Sequence, residues 1–178
     1  MLELWFGLSA FLLFVLGDLN ALRWKTKMLN AAFFFGCILL LYSTASLVWP
    51  MLRGVPVWRL ILFGGAAAGF FSLLMYALFF AIPFDKTYLT PDSGRKVCRT
   101  GMYGICRHPG VLWFAGMYLF LYLTAPSAKL LAASLAFNAA NLVYILWQDV
   151  YLFPKTFVDY DDYKLNVPLL IPKFRRGR

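Results

Sequence analysis

An arginine and the chain's single histidine, Arg107 and His108, stand directly before Pro109, where a basic segment gives way to an apolar one. A guanidinium and an imidazole side by side suit an anionic oxygen, which they hold through charge-assisted hydrogen bonds. Proline at the next position fixes φ near the helical value, so the spacing predicts a helix start there, with the pair just ahead of its first turn. Backbone amides and the positive helix end would add to the field at the same point. The chemistry expected is capture of the anionic group of a soluble cofactor at a membrane boundary.

A second polar set lies further along. Asn138, Asn141, Ile145 and Gln148 recur at helical spacing inside an apolar run, and Asp149 follows the last of them. Amides at membrane depth need partners, and hydrogen bonding between helices is the plainer reading of Asn138 and Asn141. Gln148 and Asp149 fall near the basic end of the run, level with Arg107 and His108, and an ionisable side chain there is a site candidate. The two sets occupy the two arms of one predicted helical hairpin and converge at its open end. From the residues alone two readings stand: a functional pocket, or an interfacial histidine beside an arginine that orients the span and meets lipid phosphate.

The elements that would position these residues follow from hydropathy. The 178 residues are 62% apolar and only 14% charged, and several apolar runs are long enough to cross a bilayer, so an integral membrane protein is expected. The fold class expected is all-α, a polytopic helical bundle of about five spans forming one membrane domain over residues 1–178. Spans are read at about Leu2–Leu19, Met28–Val48, Leu60–Ile82, Gly110–Thr124 and Lys129–Trp147. Residues 1–84 thus carry three N-terminal spans, 85–107 a polar and basic loop, 108–153 the hairpin and 154–178 an amphipathic tail. Leu2–Leu16 has no basic segment ahead of it and no small-residue cleavage site, and is read as a retained first span. Gly65 and Gly69, four apart in the third span, are expected to admit a neighbouring helix.

The net charge of +9 does not point to nucleic acid, because most Lys and Arg sit at the ends of apolar runs, where they orient spans and meet anionic lipid. Arg23, Lys25, Lys27, the loop and the tail fall on one side; Arg53, Arg59 and Lys129 fall on the other. The N-terminus is therefore expected outside and the C-terminus in the cytoplasm, with the Arg107–His108 pair facing the cytoplasm. Cys37, Cys98 and Cys106 are odd in number and without CxxC spacing, and read as free thiols.

The pattern Gly101-x-Tyr103-x-x-x-Arg107-His108-Pro109, an apolar hairpin, a polar pair, and then Tyr160-x-x-Tyr163-x-x-x-Val167-Pro168-x-x-Ile171-Pro172 resembles the isoprenylcysteine carboxyl methyltransferase family. That superfamily also includes membrane phospholipid N-methyltransferases, and the resemblance covers about Val97 to Pro172. It implies S-adenosylmethionine bound near the cytoplasmic surface between the Arg-His-Pro segment, the polar pair and the tail. The cofactor-binding residues it implies are Tyr103, Arg107, His108, Gln148, Asp149, Tyr160 and Tyr163, with no metal and no side chain assigned as catalytic. Arg107 and His108 suit the methionine carboxylate; Gln148 and Asp149 suit the amino group or ribose hydroxyls. Tyr160 and Tyr163 either pack on adenine or anchor an interfacial helix. Gln148 and Asp149 stand where the family usually has two glutamates, Val111 where it has tyrosine, and Thr156-Phe157 where Phe-Gly is common.

The resemblance implies methyl transfer to a membrane lipid or lipid-modified acceptor, in a bacterial inner membrane or an endoplasmic-reticulum-type membrane. Two alternatives stand beside it. One is a non-catalytic membrane protein that keeps the scaffold, which the altered Gln148-Asp149 pair favours. The other is a nicotinamide-dependent enzyme similar to sterol reductases, against which the short chain counts.

Overall fold

Apolar runs punctuated by proline, glycine and basic residues become helices in the computed structural model, which describes residues 2–81 and 95–171. The expected exit of the third span at Ile82 and Pro83, the turn at Pro91–Gly94, and the tail from Pro172 lie outside the described residues. Helix α1 (Leu2–Leu19) runs on through a π-helical turn, Asn20–Trp24. After a 3-10 turn comes α2 (Ala32–Val48), which leads into a second 3-10 turn, Trp49–Gly54. Val57–Arg59 and a π-helical stretch, Leu60–Gly64, precede α3 (Gly65–Phe79). Helix α4 (Pro109–Thr124) and α5 (Ala128–Trp147) form the expected hairpin. A π-helical turn, Gln148–Leu152, then carries the chain into two short helices, α6 (Phe153–Thr156) and α7 (Tyr160–Asn166).

The protein is an all-α membrane bundle, with no strand among the described residues. Among the described residues, four continuous helices, Leu2–Trp24, Lys27–Gly54, Val57–Phe79 and Ala128–Thr156, are long and apolar enough to span a bilayer. The fifth, α4, is shorter: its 16 residues rise about 24 Å, less than the roughly 30 Å of a hydrocarbon core. Its start is set by Pro109 at the first helical position, and the turn after it by Ala125-Pro126. Ser127 then caps α5, its hydroxyl accepting from the Leu130 amide at 3.1 Å.

Aromatic rings fill the centre. Phe11 and Phe14 of α1 meet Phe114 and Tyr118 of α4 and Phe137 of α5, with Leu47 of α2 and Leu74 of α3 closing the core. Glycine allows the closest approaches: a Cβ on Gly116 would lie 2.4 Å from the Phe70 ring, and one on Gly7 2.1 Å from Phe137. Gly65 and Gly69 do not behave as expected, for a Cβ on either meets open space within 4 Å and both are exposed. The face of α3 that carries them is turned away from the bundle, while Ala67 between them is buried. Asn138 also differs from expectation: its amide donates to the Ser134 carbonyl of its own helix at 2.8 Å. Helices are tied across instead by Thr44 with Tyr118, and by Ser43 donating to the Glu3 carbonyl.

Two ends of the bundle are distinct in charge. At one, Lys129 at the start of α5 pairs with Glu3 at the start of α1, 3.0 Å apart. At the other, Tyr144 of α5 donates to Asp18 of α1 at 2.7 Å, and Arg23 and Lys155 both lie against the Tyr151 ring.

Candidate functional site

His108 caps α4 with φ −127° and ψ 64°, and Pro109 follows at the first helical position. The tail holds this segment in place. The Arg107 amide donates to the Pro168 carbonyl at 2.9 Å and the His108 amide to the Leu169 carbonyl at 3.2 Å. This corrects one expectation: the tail uses these two amides, so they are not open to a ligand. Upstream, Tyr103 fixes the loop to the bundle by donating to the Ala77 carbonyl of α3 at 2.9 Å. Tyr163 of α7 donates to the Tyr103 carbonyl at 2.6 Å.

The π-helical turn at the end of α5 brings Asp149 to the same point. Such a turn adds a residue to the helical register and so changes which face a side chain takes, a device common at functional sites. The Asp149 side chain, 7% exposed, has its Oδ1 3.3 Å from Arg107 Nε and 3.3 Å from His108 Nε2. Tyr160 donates to the same oxygen at 2.6 Å, and Lys164 Nζ lies 3.5 Å from Oδ2. Phe153, one turn beyond Asp149, stacks on the His108 ring with centroids 5.7 Å apart and planes 16° from parallel. Burial first, and then the Asp149 carboxylate, push the Tyr160 phenol well above its ordinary pKa, so it stays protonated as a donor.

Arg107, His108, Asp149 and Tyr160 are thus in direct contact. Tyr103 and Tyr163 stand behind them as struts. Gln148 turns the other way: its amide donates to the Asp18 carboxylate at 2.8 Å and to the Tyr144 hydroxyl at 2.8 Å. Adjacent residues of one helix diverge by about 100°, so Asp149 can face the Arg-His pair while its neighbour faces α1. Lys164, Phe153 and Asp18 were not among the expected residues. Lys164 and Phe153 follow Tyr160 and Asp149 by four residues, a helical spacing that marks both. Asp18 had a plainer signal, as a carboxylate inside an apolar span.

Two fixed cations, Arg107 and Lys164, face one carboxylate. The Arg107 side chain is only 10% exposed, yet its Nε and Nη1 are buried with no hydrogen-bond partner among the described residues. A buried guanidinium with donors to spare is suited to an anion. Cys106, next to this pair, is buried, and burial raises its thiol pKa, which disfavours the thiolate. Among the described residues, no three His, Cys, Asp or Glu side chains come together as a metal site would require. No family model, curated protein or solved structure matches the chain.

Proposed function

We propose that the Arg107–His108–Asp149 site binds S-adenosylmethionine, and that the protein transfers its methyl group to a lipid or lipid-modified acceptor at the cytoplasmic membrane face. The observation that carries this reading is the Arg107 guanidinium, nine-tenths buried, whose Nε faces the Asp149 carboxylate at 3.3 Å while its Nη1 has no hydrogen-bond partner among the described residues. A carboxylate is a natural complement for the donors left on Nη1, which it would accept as charge-assisted hydrogen bonds. His108 lies beside it, and Asp149 supplies the acceptor for an ammonium group or hydroxyl. Methyl transfer from a sulfonium is an in-line displacement, for which positioning outweighs acid or base strength. Arg107 and His108 would therefore orient, and the Tyr160 phenol and Asp149 would hold the other end of the amino-acid portion.

The test is equilibrium titration of S-adenosylmethionine into detergent-purified protein. Arg107→Ala and His108→Ala should each weaken binding by about 1–3 kcal/mol, the usual worth of a charge-assisted hydrogen bond. Unchanged affinity in folded variants would leave the pair as a structural tie to Asp149. Tight binding of reduced nicotinamide cofactor instead would move the protein to the reductase class.

One observation favours a second reading. Arg107, His108, Tyr160 and Lys164 all converge on Asp149, so the cluster is also intelligible as a closed scaffold without turnover. A protein that binds neither cofactor would be of that kind.

A further inference from the structure

At the end of the bundle opposite Arg107, a cleft of about 240 Å³ opens between the Trp49–Gly54 turn, the start of the third helix and the turn joining α4 to α5. Its lining is apolar or compact, with Met51, Gly54, Pro56, Thr124 and Pro126, and the charge it holds is Arg59. The Thr124 hydroxyl donates to the Phe120 carbonyl at 2.8 Å, leaving Arg59 as the strong donor. Arg59 Nε is buried without a hydrogen-bond partner, and among the described residues the guanidinium has no carboxylate beside it. Its contact is the Trp58 ring, 5.4 Å from Cζ to centroid. Lys129, at the same end of the bundle, is by contrast matched by Glu3.

The depth of the cleft follows from its neighbours. Trp49 and Trp58 flank it and are exposed, as tryptophans are at the boundary between hydrocarbon and headgroups. Val57, Ile61 and Leu62 continue from it as an exposed apolar face. A soluble anion would have no use for that face, whereas acyl chains would lie along it.

We propose that this cleft holds the phosphodiester headgroup of an anionic phospholipid, with Arg59 binding the phosphate and the acyl chains running down the outer face of the third helix. A half-buried guanidinium with a buried Nε and no carboxylate beside it is complemented by an anion, and phosphate supplies several acceptors to it. The volume is below that of ordinary cofactor pockets, which are about 300–1,000 Å³, and fits a headgroup. The site is separate from Arg107 and stands whether or not the protein is a methyltransferase.

Native mass spectrometry of the full chain in detergent, titrated with phosphatidylglycerol, tests the proposal. Diacylglycerol of the same chains and soluble glycerol phosphate are the comparison ligands. Wild type should retain phosphatidylglycerol, diacylglycerol should stay at background, and glycerol phosphate should not compete at equal concentration. Arg59→Gln should lower retention by about tenfold or more, in line with loss of a charged hydrogen bond. Gly54→Leu gives a second route: a Cβ there meets open space, so the larger side chain would fill the cleft with the guanidinium intact. It should also lower retention. Retention unchanged in Arg59→Gln and Gly54→Leu, or equal binding of diacylglycerol, would overturn the proposal. Equal competition by glycerol phosphate would reassign the cleft to a soluble anion.

Discussion

Asp149 is the residue on which the site turns, because a guanidinium, an imidazole, a phenol and an ammonium all address its carboxylate. Replacing it with asparagine keeps the shape and removes the charge, leaving Arg107 and Lys164 without a counter-ion. Breaking one side of a buried ion pair costs about 3–5 kcal/mol. The lower end applies here, since Lys164 is about one-third exposed. Asp149→Asn should therefore lower stability by about 3 kcal/mol in a reversible denaturation assay; an unchanged midpoint would mean the cluster is looser than its distances imply. Gln148→Glu, which would place a glutamate where the resembled family has one, should destabilise as well. It sets a second carboxylate against Asp18, 2.8 Å from the present amide, and a wild-type melting temperature in that variant would contradict the contact. Arg107, His108 and Asp149 were legible in the sequence because their side chains are polar at the edge of apolar runs, whereas Tyr160 was singled out only by the tail motif of the resembled family. The direction taken by Gln148 was not, because it depends on Asp18, a residue 130 positions away.

The π-helical turn Gln148–Leu152 and the short α4 are the elements that decide the geometry. Pro109 and Ala125-Pro126 mark the ends of α4 in the sequence, since proline fixes both where a helix starts and where it cannot continue. No comparable residue announces the π turn, whose register comes from packing against α1 and the tail. The glycines were misread for the same reason: small residues on a span do not say which face meets a neighbour. Gly116 is packed against the Phe70 ring, and Gly69 is open to the surroundings. Gly116→Val should therefore cost about 1–3 kcal/mol or more through overpacking between α3 and α4. Gly69→Ala should be neutral or slightly stabilising, as for glycine replaced in an exposed helix. Thermal unfolding of the two variants checks the assignment; equal losses would put a helix against Gly69 as well.

Over the whole molecule, charge is sorted between the two ends of the bundle. Arg23, Arg107, Lys155 and Lys164 gather at one, and Arg53, Arg59 and Lys129 at the other. Excess Lys and Arg mark the cytoplasmic side, so a cysteine replacing Arg53 should be labelled from outside intact cells. One replacing Asp161, beside the site, should be labelled only after the membrane is opened, in a background lacking Cys98; the reverse pattern would invert the bundle. The site would then face the water that carries a soluble cofactor, while its helices border the lipid that carries the acceptor. The central claim, that Arg107 receives the carboxylate of S-adenosylmethionine, is tested most directly by comparing that ligand with its decarboxylated form in wild type and Arg107→Ala. The two ligands differ in this single group, so the four affinities form a double-mutant cycle. The wild type should prefer the intact ligand by about 1–3 kcal/mol, the range for a charged hydrogen bond, and Arg107→Ala should bind both forms alike. Equal affinity for both forms in the wild type, or a preference that survives the loss of Arg107, would contradict the account.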